Sequence, residues 1–313
     1  MKQKDAYFND LVLKWLEEVK ESRALSTYSK YMQLSKNYIL PYFDGIKTVD
    51  ITNVLLVEFR SYVNSQKGAH LSDGNLRCIV MILNTILKCA FQQGLSASAL
   101  SVSLNIKKEK HIAKVFSKSE QKILEKALCQ NMNLSKLGIY MCLYTGLRLG
   151  ELCSLRWQDI DLEGTFIFVK HTIQRIPLYE QSDGHKTKLV LSKPKSLSSI
   201  RHVPITSNIL PLLKNEKEYS KPEHFLLTGN PSPMEPRTLQ YQYKNYLKDA
   251  GVSYYNFHTL RHTFATRCIM CGIDPKTLSE ILGHSDIKIT LDYYFHSSLE
   301  FKKKQMELLC AVS

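Results

Sequence analysis

The sequence predicts a mainly α-helical protein with a small β-sheet, divided into an N-terminal helical bundle and a second, α+β domain. Two observations support this fold class. Apolar residues recur at helical spacing throughout the first third, and alternating segments with β-branched residues occur only in the second half. A chain of 313 residues, 44% of them hydrophobic, is long enough for two domains that each bury a core.

The first third is predicted to be all helical. Apolar side chains at helical spacing begin at Tyr7 and continue to about Gly94. A turn at 41–45 and a helix-start signal at Thr52 separate the two halves of this bundle, and residues 71–91 are predicted to form its long last helix. Helical periodicity ends at 101–114, where lysines gather.

Beyond this basic segment, Ser117 and Glu120 form a capping box that begins a new helix. We therefore expect a helical domain at 1–104, a linker at 105–116 and a second domain at 117–313. In the second domain, helices are predicted at 118–129, at 134–144 and from 236 to the end, with strands at 165–169, 186–191 and 200–205.

Charge and composition narrow the class of partner. Lysine and arginine number 42 against 29 acidic residues, and the resulting charge of +13 is spread along the chain, which favours a polyanionic partner such as nucleic acid. No apolar stretch approaches the roughly 18 residues of a membrane helix, so we expect a cytoplasmic protein without membrane contact. Cys142 and Cys153 lie in apolar helical patterns typical of reduced thiols. The single CxxC of Cys268 and Cys271 lacks the second ligand pair of a structural zinc site.

Two segments place cationic side chains on rigid elements. Thr145-Gly-Leu-Arg-Leu-Gly-Glu-Leu152 puts Arg148 at the start of a helix, directly after a glycine turn. Phe257-His-Thr-Leu-Arg-His262 puts His258 and Arg261 three residues apart, hence on one helix face. His258 and His262 also have the spacing of zinc hydrolases, but Thr259 replaces the glutamate which that motif requires, so we discount zinc.

A third segment ends a helix at Gly283 and is followed by His284. Ile287, Leu291 and Tyr294 then recur at helical spacing, which predicts that Tyr294 turns inward with an apolar stripe while Tyr293 points elsewhere. A tyrosine on such a stripe is usually a core residue. Positive charge and hydrogen-bond donors beside it would instead favour its phenolate form.

These three segments, in this order, resemble the catalytic boxes of the tyrosine recombinase family, also called phage integrases. The helical first third resembles the SAM-like core-type DNA-binding domain of the same family. In the family, the nucleophilic tyrosine lies ten residues beyond the Leu-Gly-His histidine, which corresponds to Tyr294. The family's lysine lies on a β-hairpin ahead of an Arg-x-x-Pro strand, as Lys195 does before Arg201-His-Val-Pro204. Lys193, two residues away, remains an alternative to Lys195.

The resemblance implies a metal-free, ATP-independent transesterification that needs no cofactor. Two arginines would bind the scissile phosphate, one histidine would accept the phenol proton, the other would donate a hydrogen bond to the phosphate, and the lysine would protonate the departing 5′ oxygen. The product would be a 3′-phosphotyrosine bond and a free 5′ hydroxyl. The implied catalytic residues are Arg148, Lys195, His258, Arg261, His284 and the nucleophile Tyr294.

The resemblance also implies the partners and the biological role. We expect a site-specific recombinase, an integrase of a mobile element, that acts on double-stranded DNA as a homotetramer on synapsed recombination sites. An excisionase or a host DNA-bending protein is the expected accessory partner. Two alternatives remain open at the level of the sequence: a topoisomerase of type IB-like chemistry, and a DNA-binding regulator that does not cut.

Overall fold

The computed structural model describes residues 6–66, 71–96, 98–103, 114–179, 186–194 and 196–294, together with 303, 306 and 307. The chain divides into two compact units. The first comprises residues 1–109 and 176–188, and the second comprises residues 110–175 and 189–313. Mainly helical structure with two small sheets confirms the predicted fold class.

Within its described residues, the first unit has four α-helices around a core of aliphatic and aromatic side chains. The helices are α1 (Phe8–Ser22), α2 (Leu25–Leu34), α3 (Asn53–Ser65) and α4 (Asp73–Gln92). Thr52 begins α3 as predicted, since its side chain accepts a hydrogen bond from the Leu55 backbone N–H. Residues 176–188 join this unit, where the Ser29 hydroxyl donates to the Pro177 carbonyl over 2.9 Å.

Helix α4 corrects one expectation drawn from the sequence. By length and composition alone it is apolar enough to cross a membrane, whereas no such stretch was expected. Its apolar residues have a different use, because side chains from Leu76 to Ala90 are buried in the core of the first unit. An apolar helix that packs against α1 and α2 in a protein core passes the same test of composition as a membrane helix.

The second unit packs eight helices of the described residues around its own core. They are α5 (Lys118–Cys129), α6 (Leu134–Thr145), α7 (Leu149–Cys153), α8 (Leu210–Lys217), α9 (Pro236–Asp249), α10 (His258–Met270), α11 (Pro275–Leu282) and α12 (Ile287–Tyr294). The predicted capping box begins α5, where Ser117 and Glu120 each accept the other's backbone N–H. Trp157, Leu152 and Tyr243 lie in the core of this unit.

Among the residues that the structure describes, five short strands form two sheets. They are β1 (Ile160–Asp161), β2 (Phe166–Val169), β3 (Thr172–Pro177), β4 (Thr187–Ser192) and β5 (Arg201–Pro204). An antiparallel sheet runs in the order β1, β2, β5, and β3 pairs with β4. Val169 lies opposite Arg201 in the β2–β5 register. Because side chains alternate along a strand, Arg201 and Val203 point inward while His202 is exposed.

The sequence predicted three of these strands to within about two residues but missed β1, β3 and α8. In β3 the two buried residues are Ile173 and Ile176, three positions apart, so the strand lacks the alternation by which strands are recognised. Helix α8 has eight residues and buries only Leu213 within its span, so it has no repeating apolar stripe. Strand β1 has two residues, too few to show any period.

Candidate active site

Arg148 stands where the sequence placed it, at the junction of two helices. Helix α6 ends at Gly146, which has φ +64°, and Arg148 precedes the first residue of α7. A Cβ at position 146 would lie 2.6 Å from the Phe264 ring, so only glycine fits this turn. The Arg148 side chain is 34% exposed; its Nη1 donates to Glu151 over 2.7 Å and its Nη2 to the Gly283 carbonyl over 3.1 Å.

Arg261 is the fourth residue of α10 and is almost completely buried, with 1% of its surface exposed. Its Nη1 donates to the Gly146 carbonyl and its Nη2 to the Leu282 carbonyl, each over 2.7 Å. The two glycine turns that precede Arg148 and His284 are therefore joined through one guanidinium group. This arrangement brings the three predicted segments together.

The two histidines of the site are uncharged at neutral pH. Burial, followed by the positive charges of His262, Arg261 and Arg148, lowers the pKa of His258 to about 4. Burial and the same two arginines lower the pKa of His284 to about 3. The rings of His258 and His262 meet edge to face with their centroids 4.5 Å apart.

The ring of His284 is held by a neighbour on α12. Its Nδ1 lies 2.8 Å from the Thr290 hydroxyl, and Thr290 is fully buried. Ile287 and Leu291, predicted to form the inward stripe of this helix, are 40% and 38% exposed. The prediction was wrong for these two residues, because the hydrogen bond between His284 and Thr290 turns a polar position of α12 inward in their place, and the inward orientation of Tyr294 stays a prediction.

Of the remaining predicted residues, two are only partly described. Tyr293 and Tyr294 are the last two residues of α12, and their side chains lie outside the described atoms. Lys195 lies outside the described residues. Lys193 is exposed directly after β4 and close enough to His171 for its charge to contribute to a lowered pKa there, behind the larger effect of burial.

Sequence reasoning missed Glu151 and Arg201. The Glu151 carboxylate is buried and accepts hydrogen bonds from both Arg148 and Arg201. Burial raises its pKa, but hydrogen bonds and positive charge from Arg201, and then from Arg148, outweigh burial and lower the pKa to about 2. For Glu151, the available signal in the sequence was its position three residues after Arg148 at a helix start, since a glutamate there caps the helix.

The cysteines behave as small apolar residues. Cys142 and Cys153 are buried and unpaired, and burial raises the pKa of Cys153 to about 12. Cys268 is buried and Cys271 is exposed. Over the part of the chain that the structure describes, no three His, Cys, Asp or Glu side chains cluster as metal ligands would.

Two family models and several known proteins match this chain. Residues 104–300 match the model of the phage integrase family, and residues 7–63 match that of the phage integrase N-terminal SAM-like domain. A tyrosine recombinase XerC-like protein of Caldanaerobacter subterraneus subsp. tengcongensis is 30% identical over 97% of this chain and 83% of its own. The ICEBs1 integrase of Bacillus subtilis is 23% identical over 98% of this chain and 83% of its own.

A solved structure shares the fold over nearly the whole chain. It is a variant of the Tn1549 transposon integrase in complex with transposon right-end DNA. Its TM-score is 0.77 at 21% identity, and the match covers 97% of this chain and 100% of that one.

Proposed function

Because this chain belongs to the phage integrase family, and so is a site-specific DNA recombinase of the tyrosine type, we propose that it cuts and rejoins DNA through a 3′-phosphotyrosine bond to Tyr294. The observation that carries this proposal is the convergence of Arg148, Arg261, His258 and His284 on two joined glycine turns. Two guanidinium groups suit a phosphodiester that gains negative charge in the transition state, and a neutral imidazole suits an attacking phenol that must lose its proton.

Arg148 and Arg261 are proposed to bind the non-bridging oxygens of the scissile phosphate. A guanidinium group offers five N–H donors in a fixed plane, so each arginine can hold its protein carbonyl and still reach a phosphate. Their positions are fixed before DNA binds, because each donates to the backbone of a glycine turn. Preorganised donors of this kind contribute on the order of 10² to 10³ in rate.

The proton transfers are assigned to the histidine and lysine side chains. The Tyr294 oxygen attacks phosphorus, the bond from phosphorus to the 5′ oxygen breaks, and the phenol proton passes to neutral His258. Lys195 gives a proton to the 5′ oxygen as it departs, with Lys193 as the alternative donor. If His284 accepts the Thr290 proton at Nδ1, its own proton lies on Nε2, where it donates to the phosphate.

Rejoining reverses these steps with a new strand. A 5′ hydroxyl from a second duplex gives its proton to the now neutral Lys195 and attacks the phosphotyrosine, the bond from phosphorus to the tyrosine oxygen breaks, and protonated His258 returns its proton to Tyr294. Bond energy is conserved, so ATP is not required, and the guanidinium groups of Arg148 and Arg261 supply the positive charge that a metal ion would otherwise provide. Exchanging both strands of two duplexes uses four nucleophiles, which supports a homotetramer on synapsed DNA, with an excisionase or a DNA-bending protein as accessory partner.

The biological role proposed is integration and excision of a mobile element by a cytoplasmic protein. Two similar proteins support this role, since one is named the ICEBs1 integrase and the other is a transposon integrase solved with transposon-end DNA. The residues of the catalytic unit explain the reaction, whereas the DNA sequence that is cut is to be identified by experiment.

The first experiment tests the nucleophile. Nicked suicide duplexes that tile the DNA flanking the gene are incubated with wild type, Tyr294→Phe and Tyr293→Phe in EDTA, and covalent adducts are resolved on a denaturing gel. We expect an adduct with wild type and Tyr293→Phe and none with Tyr294→Phe.

A second experiment identifies the general acid. Lys195→Ala and Lys193→Ala are tested on duplexes with a 5′-phosphorothiolate leaving group, which departs without being protonated. Only the variant that has lost the general acid should therefore regain activity on these duplexes.

Each contrary outcome has a definite meaning. An adduct lost only in Tyr293→Phe would move the nucleophile by one residue. An adduct that forms only after a divalent ion is added would overturn the metal-free chemistry. Binding to DNA without an adduct on any tile would contradict the proposal in favour of a DNA-binding protein that does not cut.

A further inference from the structure

Arg201 is a buried cation whose hydrogen-bonding groups are all directed into the protein. It lies on β5 with 8% of its surface exposed. Its Nε donates to the Ile281 carbonyl over 2.5 Å, and its Nη1 donates to the Ser199 carbonyl and to Glu151 Oε1, each over 3.1 Å. Its Nη2 donates to Glu151 Oε2 over 3.0 Å. A buried arginine seldom stabilises a fold more than apolar residues of similar volume would, so its presence calls for another explanation.

One contact of Arg201 fixes the carboxylate that holds Arg148. Glu151 Oε1 accepts from Arg148 Nη1 and from Arg201 Nη1, while Oε2 accepts from the Arg148 backbone N–H and from Arg201 Nη2. A carboxylate has about four acceptor positions, and here all of them are used. Because Arg201 binds both oxygens, it sets the plane of the carboxylate and therefore the position of the Arg148 guanidinium.

A second contact of Arg201, with the Ile281 carbonyl, fixes the turn before His284. Ile281 accepts from Arg201, Leu282 accepts from Arg261, and Gly283 accepts from Arg148, so three consecutive carbonyls each bind a different arginine. Gly283 has φ +65°, and a Cβ there would lie 3.0 Å from both Cδ and Nη1 of Arg201. The glycine of the Leu-Gly-His sequence thus leaves the space that Arg201 occupies.

We propose that Arg201 is a positioning residue, which orients Arg148 through Glu151 and orients the 281–284 turn directly, without itself touching DNA. The proposal rests on the proposed function, because its consequence is the alignment of the phosphate-binding arginines. It gives the Arg-x-x-Pro strand a role in the reaction separate from that of the lysine that precedes it. Four of the five N–H donors of Arg201 are used by protein oxygens, so its hydrogen-bonding capacity serves the protein and not a phosphate.

The test measures single-turnover adduct formation on the suicide duplex, together with DNA affinity and Tm, for Arg201→Gln, Arg201→Lys, Glu151→Gln and the Arg201→Gln, Glu151→Gln double variant. The matched control is Arg267→Gln. That arginine also pairs with a glutamate, Glu125 at 3.9 Å, and it lies over the Tyr144 ring outside the site.

We expect Arg201→Gln to slow adduct formation by about 10- to 100-fold, since misplacing a reacting geometry by about 1 Å costs up to roughly 10². DNA affinity should stay within about twofold of wild type. Arg201→Lys, which retains the charge, should recover part of the rate. The double variant should be little slower than Arg201→Gln alone, because both changes break one linkage.

The pH profile separates positioning from a general loss of structure. Without Arg201, burial raises the pKa of Glu151 with only Arg148 to oppose it. A protonated Glu151 no longer pairs with Arg148, so adduct formation by Arg201→Gln should fall as the pH is lowered from 8 to 5 more steeply than that of wild type. A merely structural defect would lower the rate equally at every pH.

Several results would overturn the inference. They are equal slowing by Arg201→Gln and Arg267→Gln, rates that multiply independently in the double variant, a loss that follows DNA affinity, or an unchanged pH profile. If Arg201→Gln does not fold, Arg201→Lys is judged by rate and affinity, since it retains the charge but cannot bind both oxygens of Glu151 as a guanidinium group does, and the pH profile is judged on Glu151→Gln, which should lose the dependence. Failure of the proposed function is distinguishable, because wild type itself would then form no Tyr294-dependent adduct.

Discussion

His258 and His284 owe their neutral state to burial and to the arginines beside them. Their pKa values of about 4 and about 3 lie well below the value near 6.5 of an unperturbed histidine. A neutral imidazole can accept a proton from a phenol, whereas an imidazolium cannot. The arginines that would bind phosphate thus also keep His258, the proposed base, in its neutral form, and both effects come from one arrangement of charge.

The same depressed pKa values make stability depend on pH. Below about pH 6.5 the unfolded chain binds protons that the folded chain does not, so stability is lost as the pH falls from about 6.5 toward 4. We expect His258→Gln to reduce the fall in Tm over this range. His202→Gln, which changes an exposed histidine on β5, should retain the wild-type dependence. Identical curves of Tm against pH for wild type and His258→Gln would contradict the pKa assignment.

At the scale of elements, short helices are held in place by the turns that end them. Helix α11 has eight residues and ends at Gly283, whose carbonyl and two preceding carbonyls bind three arginines. Eight residues are too few for stability as an isolated helix, so these tertiary bonds fix its end. The position of His284 therefore depends on the conformation of one glycine.

Gly283→Ala tests this dependence against a matched glycine. Gly251 has a similar φ of +68°, but a Cβ there would meet nothing within 4 Å, so Gly251→Ala carries the left-handed strain alone. That strain costs about 1–2 kcal/mol in the free energy of unfolding. Gly283→Ala should cost more, because its Cβ also crowds Arg201, and it should slow adduct formation while Gly251→Ala does not. Equal effects of the two variants on unfolding and cleavage would show that the contact with Arg201 is immaterial.

Local pattern sufficed for some elements and failed for others. The capping box of Ser117 and Glu120 and the glycine that ends α11 depend on neighbours within four residues, so the sequence predicted them. The orientation of α12 depends on the hydrogen bond between Thr290 and His284, a tertiary contact that overrides the apolar pattern of Ile287 and Leu291. Arg201 is set by partners 50 and 80 residues away, Glu151 and Ile281, which no local period reveals.

For the molecule as a whole, charge and chemistry point to the same partner. The chain carries a formal charge of +13, and the segment predicted to link its domains is rich in lysine. Arg201, a buried cation beside the site, is already paired with Glu151. Exposed lysines and arginines are therefore left to supply the general attraction to the DNA backbone, while the site supplies the chemistry.

Such an attraction predicts a steep dependence of DNA affinity on salt. Each phosphate neutralised contributes a slope of about −0.9 to a plot of log affinity against log salt concentration, because condensed counterions are released. With roughly 6–10 phosphate contacts, affinity should fall by roughly 10³ to 10⁵ between 50 and 200 mM salt, as measured by fluorescence anisotropy on a labelled duplex. Arg148→Gln should reduce the magnitude of the slope by about 0.9, which corresponds to the loss of one phosphate contact. Affinity that is constant across this range would contradict binding through the phosphate backbone, and an unchanged slope in Arg148→Gln would remove Arg148 from the residues that bind it.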